Sequence, residues 1–234
     1  MKTLLKKFAD KINISLSEEQ IDKFIKYKEL LKEWNEKINL TAITADEDII
    51  IKHFIDSLTI EKYIDKNSSI IDVGTGAGFP GIPIKIARED INLTLLDSLN
   101  KRIVFLQEVL NENKIENAIC IHGRAEDIAK DLKSREKYDV ATARAVANMS
   151  TLLELCLPFV KVGGKFICMK GNNIEEVEEA KKALEILGGE IEKIENFVIP
   201  DTDIERNIIV VKKVKETPKQ YPRKAGTPAK QPIK

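Results

Sequence analysis

The sequence predicts a doubly wound α/β fold, and three observations carry that prediction. From Ser69 onward, short apolar runs of strand length alternate with segments of helical period. The first junction, Asp72-Val-Gly74-Thr-Gly76-Ala-Gly78-Phe-Pro80-Gly81, reads as strand end, tight loop and helix start. Two final runs, 191–199 and 207–214, follow each other with no room for a crossover helix. They must pair antiparallel at one sheet edge, because a parallel crossover takes about a dozen residues or more.

Taken in order, Ser17-Glu-Glu-Gln20 is a capping box. Behind it Ile21, Phe24, Ile25, Leu31, Trp34 and Ile38 recur on one stripe and predict a long amphipathic helix. Asp46 is the expected cap of a second helix, running through Ile49, Ile50, Phe54, Leu58 and Ile60 to about Tyr63. Residues 1–64 thus form an N-terminal helical cap, placed before the first sheet strand and able to lie over the mouth of a ligand site. Strands are expected at the run ending in Asp72-Val73 and at 91–97, 118–122, 138–142 and 165–169. Helices are expected at 99–113, 126–133, 149–159 and 174–187, which makes 65–214 the sheet domain and 215–234 a tail.

The loop carries the first chemical information. Glycine at alternate positions lets a backbone adopt positive φ and approach a ligand with no Cβ in the way, and Pro80 suits a helix start. Gly76-Ala-Gly78-Phe-Pro-Gly81 also matches the dinucleotide fingerprint, so a nicotinamide oxidoreductase is one reading. Asp72 opposes it, since a carboxylate at the strand end repels the pyrophosphate that such loops hold. S-adenosylmethionine has no phosphate and carries a sulfonium and an ammonium, which the same acid favours. Asp97 closes the next strand, where doubly wound folds place the acid that takes ribose hydroxyls. The bland reading is that the glycines only make a turn and Asp97 only caps the helix after it.

At 234 residues with 43% hydrophobic content, the chain has material for one α/β domain with a sizeable core and an appendage. No apolar run approaches the ~20 residues of a spanning helix, and charge interrupts Met1-Lys2-Thr3-Leu4-Leu5-Lys6-Lys7 too early for a signal peptide. Cys120, Cys156 and Cys168 lie apart in apolar segments, as buried free thiols do in a reducing compartment, so a cytoplasmic protein without a metal is expected. Its 38 basic and 38 acidic residues cancel overall but not locally. From Lys212 onward, eight basic residues against the single acid Glu216 give +7, which leaves −7 on the remainder. An acidic body with a basic tail is common where a protein meets nucleic acid, although a charge run is more often only solvated.

Residues just past each strand are the site candidates in such sheets. The third strand delivers Gly123-Arg-Ala125-Glu126-Asp127, where an acid and backbone amides either read an adenine edge or simply suit a first helical turn. The fourth delivers Ala143-Arg144-Ala145-Val146, and an arginine there is expensive to bury for packing alone, which points to ligand or substrate contact. In the cap, His53 and Asp56 stand at i and i+3. They form either a general base with its carboxylate or, the commoner case, a polar pair that ties cap to sheet.

On these residues the chain resembles the bacterial small-subunit ribosomal RNA guanine-N7 methyltransferases, historically called glucose-inhibited division protein B. The matching segments are Asn39-Leu-Thr41, His53-Phe-Ile-Asp56-Ser-Leu58, Asp72 to Gly81 with its Ile82-Pro83 extension, Gly123-Arg-Ala-Glu126, Ala143-Arg-Ala145 and Tyr221-Pro-Arg-Lys-Ala-Gly-Thr-Pro228. The resemblance implies a class I S-adenosylmethionine-dependent methyltransferase (Rossmann-like) fold, with S-adenosyl-L-methionine as methyl donor and a guanine of 16S rRNA, naked or in the assembling subunit, as substrate. It implies cofactor contacts at Gly74, Phe79, Ala125, Glu126 and Arg144. Gly76 and Asp97 join them from the loop and ribose readings. Asn39, His53, Arg144, Arg223 and Lys230 are the substrate-side candidates, and a monomer with no membrane partner is expected. Guanine N7 offers a lone pair at neutral pH, so the chemistry asks for no base and no attacking cysteine, only positioning and dipoles. A methyltransferase for another substrate and a non-enzymatic RNA-binding factor stay open beside it.

The tail is expected to be extended and mobile at least in part. Pro218, Pro222, Pro228 and Pro232 preclude regular helix, and Lys215, Lys219, Arg223, Lys224, Lys230 and Lys234 are then free for phosphate. The alternative is a structural strap anchored by Tyr221.

Overall fold

The computed structural model describes residues 1–144, 147–171 and 175–234. Among them β1 (Ser69–Val73), β2 (Asn92–Asp97), β3 (Ala118–His122), β4 (Tyr138–Arg144), β5 (Val160–Lys170), β6 (Gly189–Val198) and β7 (Glu205–Lys213) form one sheet in the order β3-β2-β1-β4-β5-β7-β6. The first five run parallel, with Val73 beside Leu96, Asp97 beside His122 and Arg144 beside Met169, so their carboxyl ends share one edge of the molecule. The expected antiparallel pair is present. β7 is inserted between β5 and β6, which puts its first residues at that same edge, with Asn207 beside Lys170.

Side chains alternate across the sheet, so Ile70 enters one apolar cluster and Ile71 the other. The first cluster lies under α1 (Lys2–Lys11), α2 (Glu18–Ile38), α3 (Asp46–Ile49), a π-helical segment at Ile50–Ile55, α4 (Asp56–Leu58), α5 (Gly81–Ala87) and α6 (Asn100–Glu112). The second lies under α7 (Ala125–Ile128), α8 (Met149–Cys156), α9 (Glu175–Glu179) and α10 (Lys181–Leu187). The cap therefore shares its core with the sheet: Leu5, Phe24, Tyr27 and Phe54 pack in one cluster with Ile70, Ile82 and Phe105. α1 falls outside the predicted elements, and Leu5, Phe8 and Ala9 bury its one apolar stripe.

The Ser17 capping box forms as read, and Gln20 also donates to the carbonyls of Ile86 and Ala87 at 3.0 and 3.1 Å, tying α2 to the end of α5. Asp46 is not the cap expected of it. Ala45 holds that position, and the Asp46 carboxylate instead accepts from Lys28 and Lys32 of α2, two cations that compete for it. The predicted second helix is broken by the π segment, whose wider turn is favoured at functional sites. Ala145, Val146 and Ile174, which carry part of the fourth-strand and ninth-helix expectations, lie outside the described residues. All three cysteines are free, with Cys156 and Cys168 buried and Cys120 half-buried. No helix of the described residues is long and apolar enough to cross a membrane.

The extended, mobile tail is corrected by the structure. Lys213, fully buried, donates to Leu157 O and Thr217 Oγ1 at 2.7 and 2.6 Å and pairs with Glu136 at 3.1 Å. Arg135 then donates to the carbonyls of Thr217 and Tyr221 at 2.7 and 2.8 Å. Arg223 grips both oxygens of Glu154, which is 0% exposed, at 2.9 and 2.6 Å. A last short helix, α11 (Thr227–Lys230), sits beside α8, with Thr151 Oγ1 donating to Pro228 O at 3.0 Å, and Ile233 is buried in the second core. Composition judged the tail alone. The acids and carbonyls that receive it belong to other elements.

Truncation after Val214 should therefore leave Glu154 buried without its guanidinium. Losing one partner of a buried pair costs on the order of 3–5 kcal/mol, or roughly 6–20 °C in melting temperature at this size. Calorimetry of the truncated chain measures the drop, and an unchanged melting temperature would reinstate the mobile tail.

Candidate active site

The glycine loop leaves β1 and folds back on β2. Gly74 and Thr75 donate to Leu96 O at 2.8 and 3.1 Å, and Gly76 donates to Asp97 Oδ2 at 2.9 Å. Its glycines serve two purposes. Gly74 and Gly76 have φ of +70° and +62°, and a Cβ on either would meet nothing within 4 Å, so both border open space at the strand tips. Gly78 and Gly81 are packing glycines: a Cβ would stand 2.7 Å from the Tyr27 hydroxyl at the first and 2.9 Å from the Asp72 carboxylate at the second.

Asp72 is fully buried beneath this loop. Its Oδ2 accepts from Thr75 Oγ1 at 2.6 Å and from the Gly81 amide at 2.9 Å, while Oδ1 has no hydrogen-bond partner among the described residues. Burial pushes its carboxyl up to about 6 against the pull of those two donors. Pro80 takes the position before α5, so Gly81 supplies the first helical amide and Asp72 receives it. Asp97, 3% exposed, holds the Gly76 and Leu99 amides and the Arg102 guanidinium at 2.9, 2.9 and 3.3 Å. It braces the loop and borders the open space at once.

Above the loop, Phe79 carries a stack. The His53 ring lies 4.4 Å from it at 17°, and the Arg144 guanidinium carbon stands 4.8 Å over its centroid. Arg144 donates to Lys52 O at 3.1 Å, Asp56 Oδ2 at 3.2 Å and His53 Nδ1 at 3.0 Å. A guanidinium has no acceptor, so His53 Nδ1 must be bare and its proton sits on Nε2, which donates to Thr41 Oγ1 at 2.9 Å. Burial, with the Arg144 charge beside it, lowers His53 to about 3. His53 and Asp56 thus meet through Arg144, not directly.

Asp56 is 2% exposed and bracketed, because Arg206 Nε donates to its Oδ1 at 3.0 Å from the other side. Arg206 lies outside the sequence-predicted set. That set holds residues just past each strand, but β7 runs antiparallel, so its beginning and not its end reaches the carboxyl edge. Tyr27 is a second omission: fully buried in α2, it donates to the Ala77 carbonyl and fixes the glycine loop from the cap. Ile43, Lys52, His53, Asp56, Arg144 and Arg206 line a cleft of about 370 Å³, with Met169, Lys170 and Gly171 on its far wall.

Ala125 and the buried Glu126 open α7 just past β3, and Glu126 Oε1 accepts from the Gly226 amide of the tail at 2.8 Å. Asn39 ends α2 in left-handed backbone at φ 50°, exposed, two residues from Thr41. Two substrate-side candidates sit elsewhere: Arg223 is spent on Glu154, and Lys230 is exposed at the end of α11, away from the cleft-lining set.

Comparison with known proteins decides the family. The model of rRNA small subunit methyltransferase G matches residues 20–209. The chain belongs to that family. It is 57% identical to the "Ribosomal RNA small subunit methyltransferase G" of Acetivibrio thermocellus over 100% of this chain and 97% of the relative. It is 56% identical to the protein of that name from Clostridium beijerinckii over 99% and 98%. The fold is that of class I methyltransferases. M. jannaschii TYW2, solved in complex with AdoMet, superposes with a TM-score of 0.55 at 17% identity over 73% of this chain and 77% of its own. M. capricolum TrmK, solved with S-adenosyl-homocysteine, superposes at 0.53 with 14% identity over 69% of each chain.

A member of this family is an S-adenosylmethionine-dependent methyltransferase acting on RNA, and the residues present fit that donor. The space over Gly74 and Gly76 is free of Cβ atoms, and the unpaired Asp72 oxygen and the Asp97 carboxylate give it a negative floor suited to a cation.

Asp97→Ala should weaken S-adenosylmethionine by about tenfold or more. It removes hydrogen bonds to a charged acceptor worth on the order of 1.5–3 kcal/mol and also frees the Gly76 amide. Titration calorimetry with the donor and with a nicotinamide dinucleotide checks it, and tight dinucleotide binding would reverse the assignment. His53 gives a second expectation. Unfolded, it takes up a proton near its ordinary 6.5; folded, it resists until about 3. Stability should accordingly fall as pH drops from 6.5 toward 3, and His53→Gln should flatten that limb in melting curves taken across the range.

Proposed function

We propose that this protein methylates N7 of a guanine in 16S ribosomal RNA, working as a cytoplasmic monomer without a metal, with the base entering the cleft between the cap and the tips of β4, β5 and β7. The observation that supports this reading is the state of His53. Both ring nitrogens are engaged, by Arg144 and Thr41, so the side chain at the centre of the cleft is neutral and has no lone pair left to take a proton. Guanine N7 needs no such group, whereas an exocyclic amine or a ring carbon does.

S-adenosylmethionine, when bound, supplies an electrophilic methyl group on sulfur. The chain's own part is positioning and charge. The loop carries the donor, and Phe79 at its end carries the His53 and Arg144 stack, so the donor and base sites share one rigid support. Arg144 and Arg206, fixed on one buried carboxylate, present donors of the kind that read guanine O6. The methyl brings positive charge onto the base, and the Asp72 carboxylate, whose hydrogen-bond partners are a hydroxyl and an amide and not a cation, is the anion that offsets it.

Single-turnover methylation should stay nearly flat from about pH 6.5 to 8.5, since no base has to take up a proton in the step. Arg206→Ala should cut the rate by roughly 10–100-fold, the scale of one lost charge-assisted donor, with donor affinity preserved. Nucleoside mass spectrometry of 16S rRNA from cells lacking the protein is the direct test: 7-methylguanosine should disappear at one position, and an unchanged map defeats the assignment.

A further inference from the structure

The tail is a strap, and it crosses the sheet edge that carries the active site. Arg223 is clamped on Glu154 in α8, the Gly226 amide donates to Glu126 Oε1 at 2.8 Å, and Pro228 O accepts from Thr151 at 3.0 Å in the first turn of α8. Glu126 opens α7 just past β3 and Thr151 lies in the first turn of α8 after β4, so the segment 226–228 bridges two helices that pack against each other beside the carboxyl edge of the sheet. Glu126 is 7% exposed, and the strap amide supplies a hydrogen bond to its carboxylate from outside the sheet domain.

We propose that the C-terminal strap completes the nucleoside end of the cofactor site, with Gly226 as a positioning residue that orients Glu126, so that cofactor binding and strap seating strengthen each other. This rests on the reading of Glu126 as a cofactor residue. A carboxylate held by one backbone amide keeps its other oxygen free for a ligand donor. When the amide leaves, the side chain regains its rotamers and the pocket loses a wall. Coupling is reciprocal, so a ligand that uses Glu126 also holds the strap down.

The full-length protein and S-adenosylhomocysteine provide the test. Gly226 has φ +81°, and a Cβ there would meet nothing within 4 Å, so Gly226→Ala strains the strap at that point without a clash. Gly226→Ala and Arg223→Gln should each weaken S-adenosylhomocysteine about 5–10-fold by calorimetry at a temperature where both are folded. Lys219→Ala, an exposed change on the same strap, should leave affinity unaltered, which excludes a bulk charge effect. In the wild type, saturating S-adenosylhomocysteine should slow hydrogen exchange at the strap amides, including Gly226, by a similar factor, a readout that a purely structural strap would not move. Affinities within twofold of wild type, with strap exchange indifferent to ligand, would overturn the coupling alone. Glu126→Ala that binds as wild type would instead overturn the parent reading of Glu126, and the coupling with it.

Discussion

Everything in the active site depends on one guanidinium. Arg144, at the last position of β4, is the point where sheet, cap and glycine loop are joined: it binds a backbone carbonyl, a histidine nitrogen and a buried carboxylate of the cap, and it lies over Phe79 of the loop. Burial alone pushes its pKa down, and Asp56 offsets that by supplying the counter-charge. Removing either partner would strand a charge out of water, which costs far more than a surface pair returns. The cap is consequently not a loose lid. Its wider π turn presents His53 and Asp56 to the β4 tip, and its core is continuous with that of the sheet.

The glycine loop shows the same economy in another form. Two of its glycines keep space open and two allow contact, so a single run both admits a ligand and seats the loop on Tyr27 and Asp72. Asp72 is better described as a buried brace that adds negative potential than as a direct contact, because one of its oxygens is committed to Thr75 and Gly81. Its charge acts over a short distance through protein, where screening is weak.

The tail illustrates how a composition can mislead. Prolines and lysines describe a solvated chain, yet a few groups decide the outcome: the buried Lys213 and Thr217 and the half-buried Tyr221 and Arg223 each have a partner in the body. The basic excess of the tail is real, but part of it is consumed in holding the chain to itself. The exposed tail residues such as Lys224 keep their charge in solvent.

What the sequence determined by itself is whatever its local periodicity and local chemistry specify. Alternating apolar runs placed the strands to within a few residues, the Ser17 box started α2 where read, and the order of glycine loop, helix and acid-tipped strand brought Gly76 against Asp97, because each of these signals is complete within a short stretch of chain. What only the tertiary structure decided is everything that needs two distant segments at once. Arg206 entered the site because β7 runs backwards, Arg144 met Asp56 across 88 positions, and Arg223 met Glu154 across 69. No local pattern encodes those meetings. They follow from burial, which brings a charge to the one opposite charge that the packed chain leaves within reach.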